Sequence, residues 1–330
     1  MATMDDIAKV LGVSKSTVSK ALSGAGDVSE SMRRTVLETA VELRYTRVSR
    51  GAAAPRIAIF ITNMRYKEPE DFGYDIIVGF RKLAEPAGFR VELIDLDYEL
   101  QTTLRYDEYM VLNNFRGGIF LGLSLVDPWI RDFEVCRTPT VLYDNHIVGN
   151  PNVTHVGVDN AEGMGFAVAY LKSLGHEKIG YLSSALQAYV YRQRFDAFFL
   201  ALRKNNLTAD ESLSGNSYHM PECLTEHLPR LLQAGCPAIV CSHDALAHQV
   251  MTQCAAMGIR VPRDLSVLGF DDLPMSHHSS PTLTTVRQNR DELGRSIFCA
   301  LSSQINRVPI STLLLHTELI RRESCAEAAV

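Results

Sequence analysis

No run in the 330 residues approaches the about 18 consecutive apolar side chains that a membrane helix needs. The opening Met1-Ala-Thr-Met-Asp-Asp6 has neither the basic start nor the apolar stretch of a secretion signal, so a cytoplasmic protein without a membrane partner is expected. The seven cysteines (Cys136, Cys223, Cys236, Cys241, Cys254, Cys299 and Cys325) form no C-x-x-C pair, and their odd number reads as free thiols rather than disulfides or a metal site. With 13 prolines and 21 glycines, 46% hydrophobic and 22% charged residues, collagen-like, low-complexity and wholly disordered classes are excluded. Catalytic signatures are missing too. Gly117, Gly118 and Gly122 lack the G-x-G-x-x-G order, there is no Walker sequence, and Gly122-Leu-Ser-Leu is not a nucleophile elbow. Ser242-His243-Asp244 are neighbours in the chain, an arrangement that seldom aligns a base on a nucleophile, and His277-His278 reads as a surface loop. Neither an enzyme nor a bound cofactor is expected.

Positive charge is in short supply overall, but not evenly so. The net charge is −5, which argues against a protein that coats nucleic acid over its whole surface. Residues 1–50 carry eight basic side chains against six acidic ones, a net of +2, which leaves −7 for the remaining 280. A mildly basic head therefore precedes an acidic body, and a chain of this length divides into two or three units at about 150 residues each.

What is present in the head has helical spacing. Ile7, Ala8 and Leu11 share one face of a short helix that stops at Gly12. Ser14 caps a second helix with Val18, Ala21 and Leu22 inward, and Ser29 caps a third with Val36, Leu37, Ala40 and Val41 inward. Two short helices joined by a tight Gly-Val-Ser turn, with a third behind them, predict a helix-turn-helix. Its second helix leaves Lys15, Ser16, Ser19 and Lys20 outward, side chains of the kind that reach base edges. Ser14, Thr17, Ser29 and Arg33 can hydrogen-bond phosphates. For any single one of these residues the alternative is a solvated helix face.

From Arg56 onward, short β-rich runs alternate with amphipathic stretches. Strands are predicted over 57–61, 91–94, 118–121, 140–143, 178–182, 238–241 and 265–270. Helices are predicted over 76–87, 163–174, 192–204, 246–257 and 290–304. This alternation predicts parallel sheets covered by helices, with ligands at the carboxyl ends of the strands. About 270 residues of it exceed one open sheet, so two lobes around a cleft are expected.

The stretch Met4-Asp-Asp-Ile-Ala-Lys-Val-Leu-Gly-Val-Ser-Lys-Ser-Thr-Val-Ser-Lys-Ala-Leu-Ser23, with Val28-Ser29 and Arg33, closely resembles the DNA-binding head of the lactose-repressor/galactose-repressor (LacI/GalR) family. The resemblance continues through Val156-Gly-Val-Asp-Asn160, Leu174-Gly-His-Glu-Lys-Ile179, Gly258 to Asp272, Leu283 to Gln288 and His316 to Glu323. It implies an all-α head over 1–45, a short linker over 46–56 and a periplasmic-binding-protein-like α/β body over 57–330. The N-lobe would run over about 57–158 and 289–313, the C-lobe over 159–288 and 314–330. It also implies a homodimer that binds palindromic double-stranded operator DNA, with Lys15, Ser16 and Lys20 reading bases, and a small-molecule effector, of carbohydrate type, between the lobes. By resemblance the effector contacts are Asp144, Arg194, Asp271, Gln288 and the aromatic residues Phe72 and Tyr218. For each, a structural hydrogen bond or core packing is the competing role.

Two departures stand out. The linker is short, contains Arg47, Arg50 and Gly51, and has no leucine to wedge into the minor groove, so weak DNA bending is expected. His243 stands where the family commonly has Asn, which adds an effector-contact candidate and an expected sensitivity near pH 6 to 7. Two rival classes remain: a solute-binding sensor without a DNA role, which the head argues against, and a DNA-binding regulator controlled by a protein co-regulator.

Overall fold

The computed structural model describes residues 2–45 and 54–328. The linker residues Arg47, Arg50 and Gly51, and with them the expectation of weak bending, lie outside the described residues. The rest forms two compact units. The first holds the described residues up to Tyr66, together with Gly73–Val156 and Asp291–Leu313. The second holds Lys67–Phe72, Gly157–Arg290 and the described residues from Leu314.

The first unit begins with three helices, α1 (Met4–Leu11), α2 (Lys15–Ser23) and α3 (Glu30–Glu42). Thr3 and Asp6 close a capping box on α1, and Gly12 ends it in the left-handed region at φ 65°, where a side chain would be strained. Ser14 and Ser29 cap α2 and α3 by accepting hydrogen bonds from the backbone N–H groups of Thr17 and Met32. Ile7, Ala8, Val18, Ala21, Val36, Ala40 and Tyr45 form the core of this head, with Leu11, Leu22 and Val28 half-buried around it.

The body follows in chain order as β1 (Arg56–Ile61), α4 (Phe72–Ala84), β2 (Arg90–Asp95), α5 (Tyr98–Thr103), α6 (Tyr106–Leu112), β3 (Phe115–Leu121), α7 (Ile130–Phe133), β4 (Thr140–Tyr143) and β5 (Val153–Val158). Next come α8 (Asn160–Ser173), β6 (Ile179–Ser184), α9 (Tyr189–Lys204), β7 (Ser214–Ser217), α10 (Met220–Glu222), α11 (Leu228–Gln233), β8 (Ala238–Cys241) and α12 (Asp244–Ala256). The chain closes with β9 (Ser266–Asp271), β10 (Thr284–Arg287), α13 (Arg290–Ile305), β11 (Thr312–Leu315) and β12 (Glu318–Ile320).

The strands make two six-stranded sheets, ordered β11-β5-β4-β3-β1-β2 and β12-β10-β9-β8-β6-β7. Neighbours pair in parallel along β2-β1-β3-β4-β5, with Ile57 opposite Val91 and Ile59 opposite Ile119, and along β7-β6-β8-β9-β10. One edge strand runs the other way: β12 is antiparallel to β10, with Thr285 opposite Ile320.

Strands covered on both faces need continuous apolar sequence, and Ile57 to Ile61 are all buried. Behind them Phe60 stacks on Phe120 at 4.7 Å between centroids, with Tyr106, Trp129 and Phe133 edge-on. In the second unit the cysteines serve as small hydrophobes: Cys223, Cys236, Cys241 and Cys254 are buried in one aliphatic core. In the first unit α4 and α13 cross at two glycines, where a Cβ on Gly79 would sit 2.2 Å from the Asp291 carbonyl oxygen and one on Gly294 2.1 Å from that of Ile76.

Candidate functional sites

On α2 the inward positions Val18 and Ala21 are buried, and the same helical spacing turns Lys15, Ser16 and Lys20 to solvent, with Thr17 and Ser19 half-buried. Lys15 is held 2.6 Å from Asp5 and Lys20 pairs with Asp27. Exposed pairs of this kind are weak in water, so exchanging them for a phosphate or a base edge costs little. Ser14 and Ser29 spend their oxygen lone pairs on the caps at 3.1 and 3.3 Å, and a hydroxyl so engaged can still donate to an incoming phosphate. Arg33 lies half-buried at the start of α3, its guanidinium beside Gly24 at the end of α2.

In the second unit a buried polar cluster gathers where the parallel strands end. Arg194, on α9, is 2% exposed. Its Nη1 donates to the Ser242 carbonyl oxygen at 2.6 Å and to Asp271 Oδ1 at 3.3 Å, its Nε donates to Asn160 Oδ1 at 3.0 Å, and its plane lies 3.8 Å over the Phe270 ring. Gln288, just past β10, donates to the same Asp271 oxygen at 2.6 Å. Burial raises the Asp271 carboxyl, while Arg194, Gln288 and Arg290 pull against that rise. Asp271 also holds φ 119°, a backbone conformation seldom adopted outside glycine and of the kind retained where a site requires it.

His243 lies beside this cluster. Its Nδ1 accepts the Leu246 N–H at 3.2 Å as the cap of α12, which leaves Nε2–H to donate to Ser184 Oγ at 2.7 Å, with the Tyr191 ring 5.5 Å away. Burial, reinforced by the charge of Arg194, lowers its pKa to about 4. The expected sensitivity near pH 6 to 7 is therefore corrected: a ring sealed from water and beside a guanidinium stays neutral through that range.

The other candidates are placed as follows. Phe72 opens α4, with the Arg290 guanidinium 5.8 Å from its ring centre. Tyr218 is 83% exposed after β7, edge-on to His219. Asp144 follows β4 of the first unit, the corresponding strand end of the other sheet, at φ 53°. Sequence reasoning missed three partners. Asn160 bridges Arg194 to Gln193 at 3.1 Å, Gln193 reaches Tyr189 at 2.8 Å, and Ser184 pairs with His243. Asn160 closed a quoted signature stretch; nothing in the sequence flags Ser184.

Two further buried acids of the second unit, Asp272 and Asp244, are engaged in structural contacts. Asp272 is held below the usual carboxylate range because Arg287 and Arg322, at 2.7 and 2.6 Å, outweigh the upward pull of burial. Asp244 is buried and pushed up by that burial and by the nearby Asp271, while it accepts from the Leu273 N–H, Ser276 and Thr285.

Known proteins resemble both parts. Residues 3–47 match the family model of bacterial regulatory proteins, lacI family, and residues 168–325 match a periplasmic binding protein-like domain. The HTH-type transcriptional repressor CytR of Escherichia coli is 28% identical over 333 residues, covering 98% of this chain and 96% of that protein. Among solved structures, a complex of the transcriptional regulator CelR with cellobiose aligns at TM-score 0.70 and 24% identity, covering 98% of this chain and 100% of that one. The Lac repressor dimer bound to operator aligns at TM-score 0.66 and 21% identity, covering 98% and 99%. No helix of the described residues is long and apolar enough to cross a membrane.

Proposed function

We propose that the chain, which carries a lacI-family DNA-binding head and a periplasmic binding protein-like body, is a DNA-binding transcriptional regulator of the lacI family, an effector-controlled repressor acting in the cytoplasm. The observation that carries this reading is α2, which turns Lys15, Ser16 and Lys20 outward from a fully capped three-helix head. One such head grips few phosphates. Specific binding therefore calls for two heads from a homodimer on a palindromic site with half-sites about one helical turn apart. Lys15, Ser16, Ser19 and Lys20 reach base edges, and Ser14, Thr17, Ser29 and Arg33 hold the backbone.

The effector is a carbohydrate or related polyol. Arg194, Asp271 and Gln288 bring donors and an acceptor to the carboxyl ends of the second sheet, with His243 beside them. Paired hydroxyls suit that mixture, since a carboxylate accepts from two neighbours and a guanidinium donates in a fork. Phe72 and Tyr218 supply aromatic surface for a ring, and Asp144 occupies the corresponding strand end of the first unit. The relative solved with cellobiose supports the sugar class. Effector binding re-spaces the heads, a coupling on the order of 1 to 3 kcal/mol.

Selection of random duplexes by the full chain tests the reading. Recovery of a palindrome, with altered preference in Lys15→Ala and Ser16→Ala, is the expected result. A monomer that recovers no consensus overturns it. A thermal-shift panel of sugars, with the response lost in Asp271→Asn, tests the effector class.

A further inference from the structure

The head does not stand free of the body in the first unit. α3 packs on α6, with Val111 against the head's core, Arg137 Nη1 donates to the Glu42 carbonyl oxygen at 3.3 Å, and Arg44 Nη2 donates to Asn152 at 3.4 Å. This seam encloses a cavity of about 690 Å³, the size of small-molecule sites. Its apolar wall includes Leu43, Met110 and Phe115, and three arginines with exposed side chains border it: Arg44 of the head and Arg137 and Arg307 of the body.

Among the described residues Asp107 is the one acid of this lining, and it is satisfied locally. It accepts from the backbone N–H groups of Arg137 and Thr138 at 2.8 and 3.0 Å and from the Thr138 hydroxyl at 2.6 Å. Arg44 and Arg137 each use one of five N–H donors in the contacts that tie head to body. The cavity therefore combines an apolar wall with a strong excess of positive charge.

We propose that this seam is a second small-molecule site, distinct from the strand-end cluster around Arg194, and that it takes an organic anion: an apolar or aromatic body carrying a phosphate, sulfonate or carboxylate. The apolar part displaces water from Met110 and Phe115, and the anionic head accepts forked hydrogen bonds from the arginines. Such a ligand touches head and body at once, so it binds the docked arrangement preferentially and holds α2 in one direction. The proposal goes beyond the regulator reading, and its binding test needs no DNA.

The probe is naphthyl phosphate, titrated by calorimetry into the full chain, with neutral naphthol and inorganic phosphate as controls. Saturable binding of one probe per chain is expected, at least tenfold tighter than either control, and about tenfold weaker in each of Arg44→Ala, Arg137→Ala and Arg307→Ala. Hydrogen exchange on the unmodified chain gives a second reading that does not depend on the variants folding: protection should rise over residues 41–45 and 304–309. Equal binding of naphthol, protection confined to the strand ends around Arg194, or unchanged affinity in all three variants would each overturn the proposal. So would an absence of binding, and a flatter salt dependence of operator binding in the variants would then assign the arginines to the DNA backbone.

Discussion

His243 is neutral in the fold, and its cost appears only in acid. With the ring's pKa lowered to about 4 in the folded chain against about 6.5 unfolded, the unfolded chain takes up a proton first as pH falls. Stability from this residue is complete above pH 6.5 and is lost as pH drops toward 4, on the order of 3 kcal/mol in total. His243→Asn can keep the α12 cap and the contact to Ser184 without titrating. Urea unfolding at pH 7 and pH 4.5 should therefore show a smaller loss in the variant than in the parent. His243→Asn should therefore leave the pH dependence of effector affinity between pH 5.5 and 8 unchanged from the parent's, a comparison calorimetry makes directly. Arg194 is the residue with most to lose: Arg194→Met strands Asp271 in a buried site and should cost about 3 kcal/mol or more, along with effector binding, in unfolding and calorimetric titrations.

Among the elements, the α4/α13 crossing tolerates no side chain at its two closest points. A methyl on Gly294 meets the backbone of Ile76 and Phe80 at 2.1 and 2.6 Å, and backbone cannot turn aside as a flexible side chain does. Gly294→Ala should lower unfolding free energy by about 2 kcal/mol, read by chemical denaturation. In the head, Ser14→Ala removes the α2 cap and should cost about 1 kcal/mol, lowering operator affinity in a binding titration without changing which sequence is preferred.

Elements of this kind were legible in proportion to their patterning. The head's i, i+3, i+4 positions and the continuous apolar runs of β1, β4 and β8 stand out from sequence alone. β7, Ser-Gly-Asn-Ser, and β10, Thr-Thr-Val-Arg, carry no such run, because they are held by pairing with β6, β9 and β12 and not by their own apolarity. The same limit applies to the site. Arg194 and Asp271 were found through resemblance, but Ser184 met His243 only when β6 and β8 were laid side by side, and Gln193 met Asn160 only when α9 packed on α8.

For the molecule as a whole, the uneven charge becomes a statement about affinity. A net of +2 over residues 1–50, head and linker start together, against −7 over the rest confines net attraction to DNA to the first 50 residues. If two heads neutralise about three phosphates each, the logarithm of operator affinity should fall with the logarithm of salt at a slope of about −5, measured by fluorescence anisotropy. A much steeper slope would mean that the body also grips the backbone. The two sheets, meanwhile, share one strand order, and each takes an edge strand from the end of the chain, β11 in the first and β12 in the second. Beyond β12, Ser324 binds the backbone of Val267 and Ala328 donates to the Leu174 carbonyl oxygen. This arrangement sets an order of events on the ribosome. The head, complete within its first 45 residues, can fold as soon as it emerges, whereas neither sheet can be finished until residues 312–328 follow at the pace of synthesis. During that interval a nascent chain presents a competent reading helix on an unfinished body with open sheet edges, so it is the arrival of residues 312–328, and not the head's folding, that limits when a regulated molecule first exists.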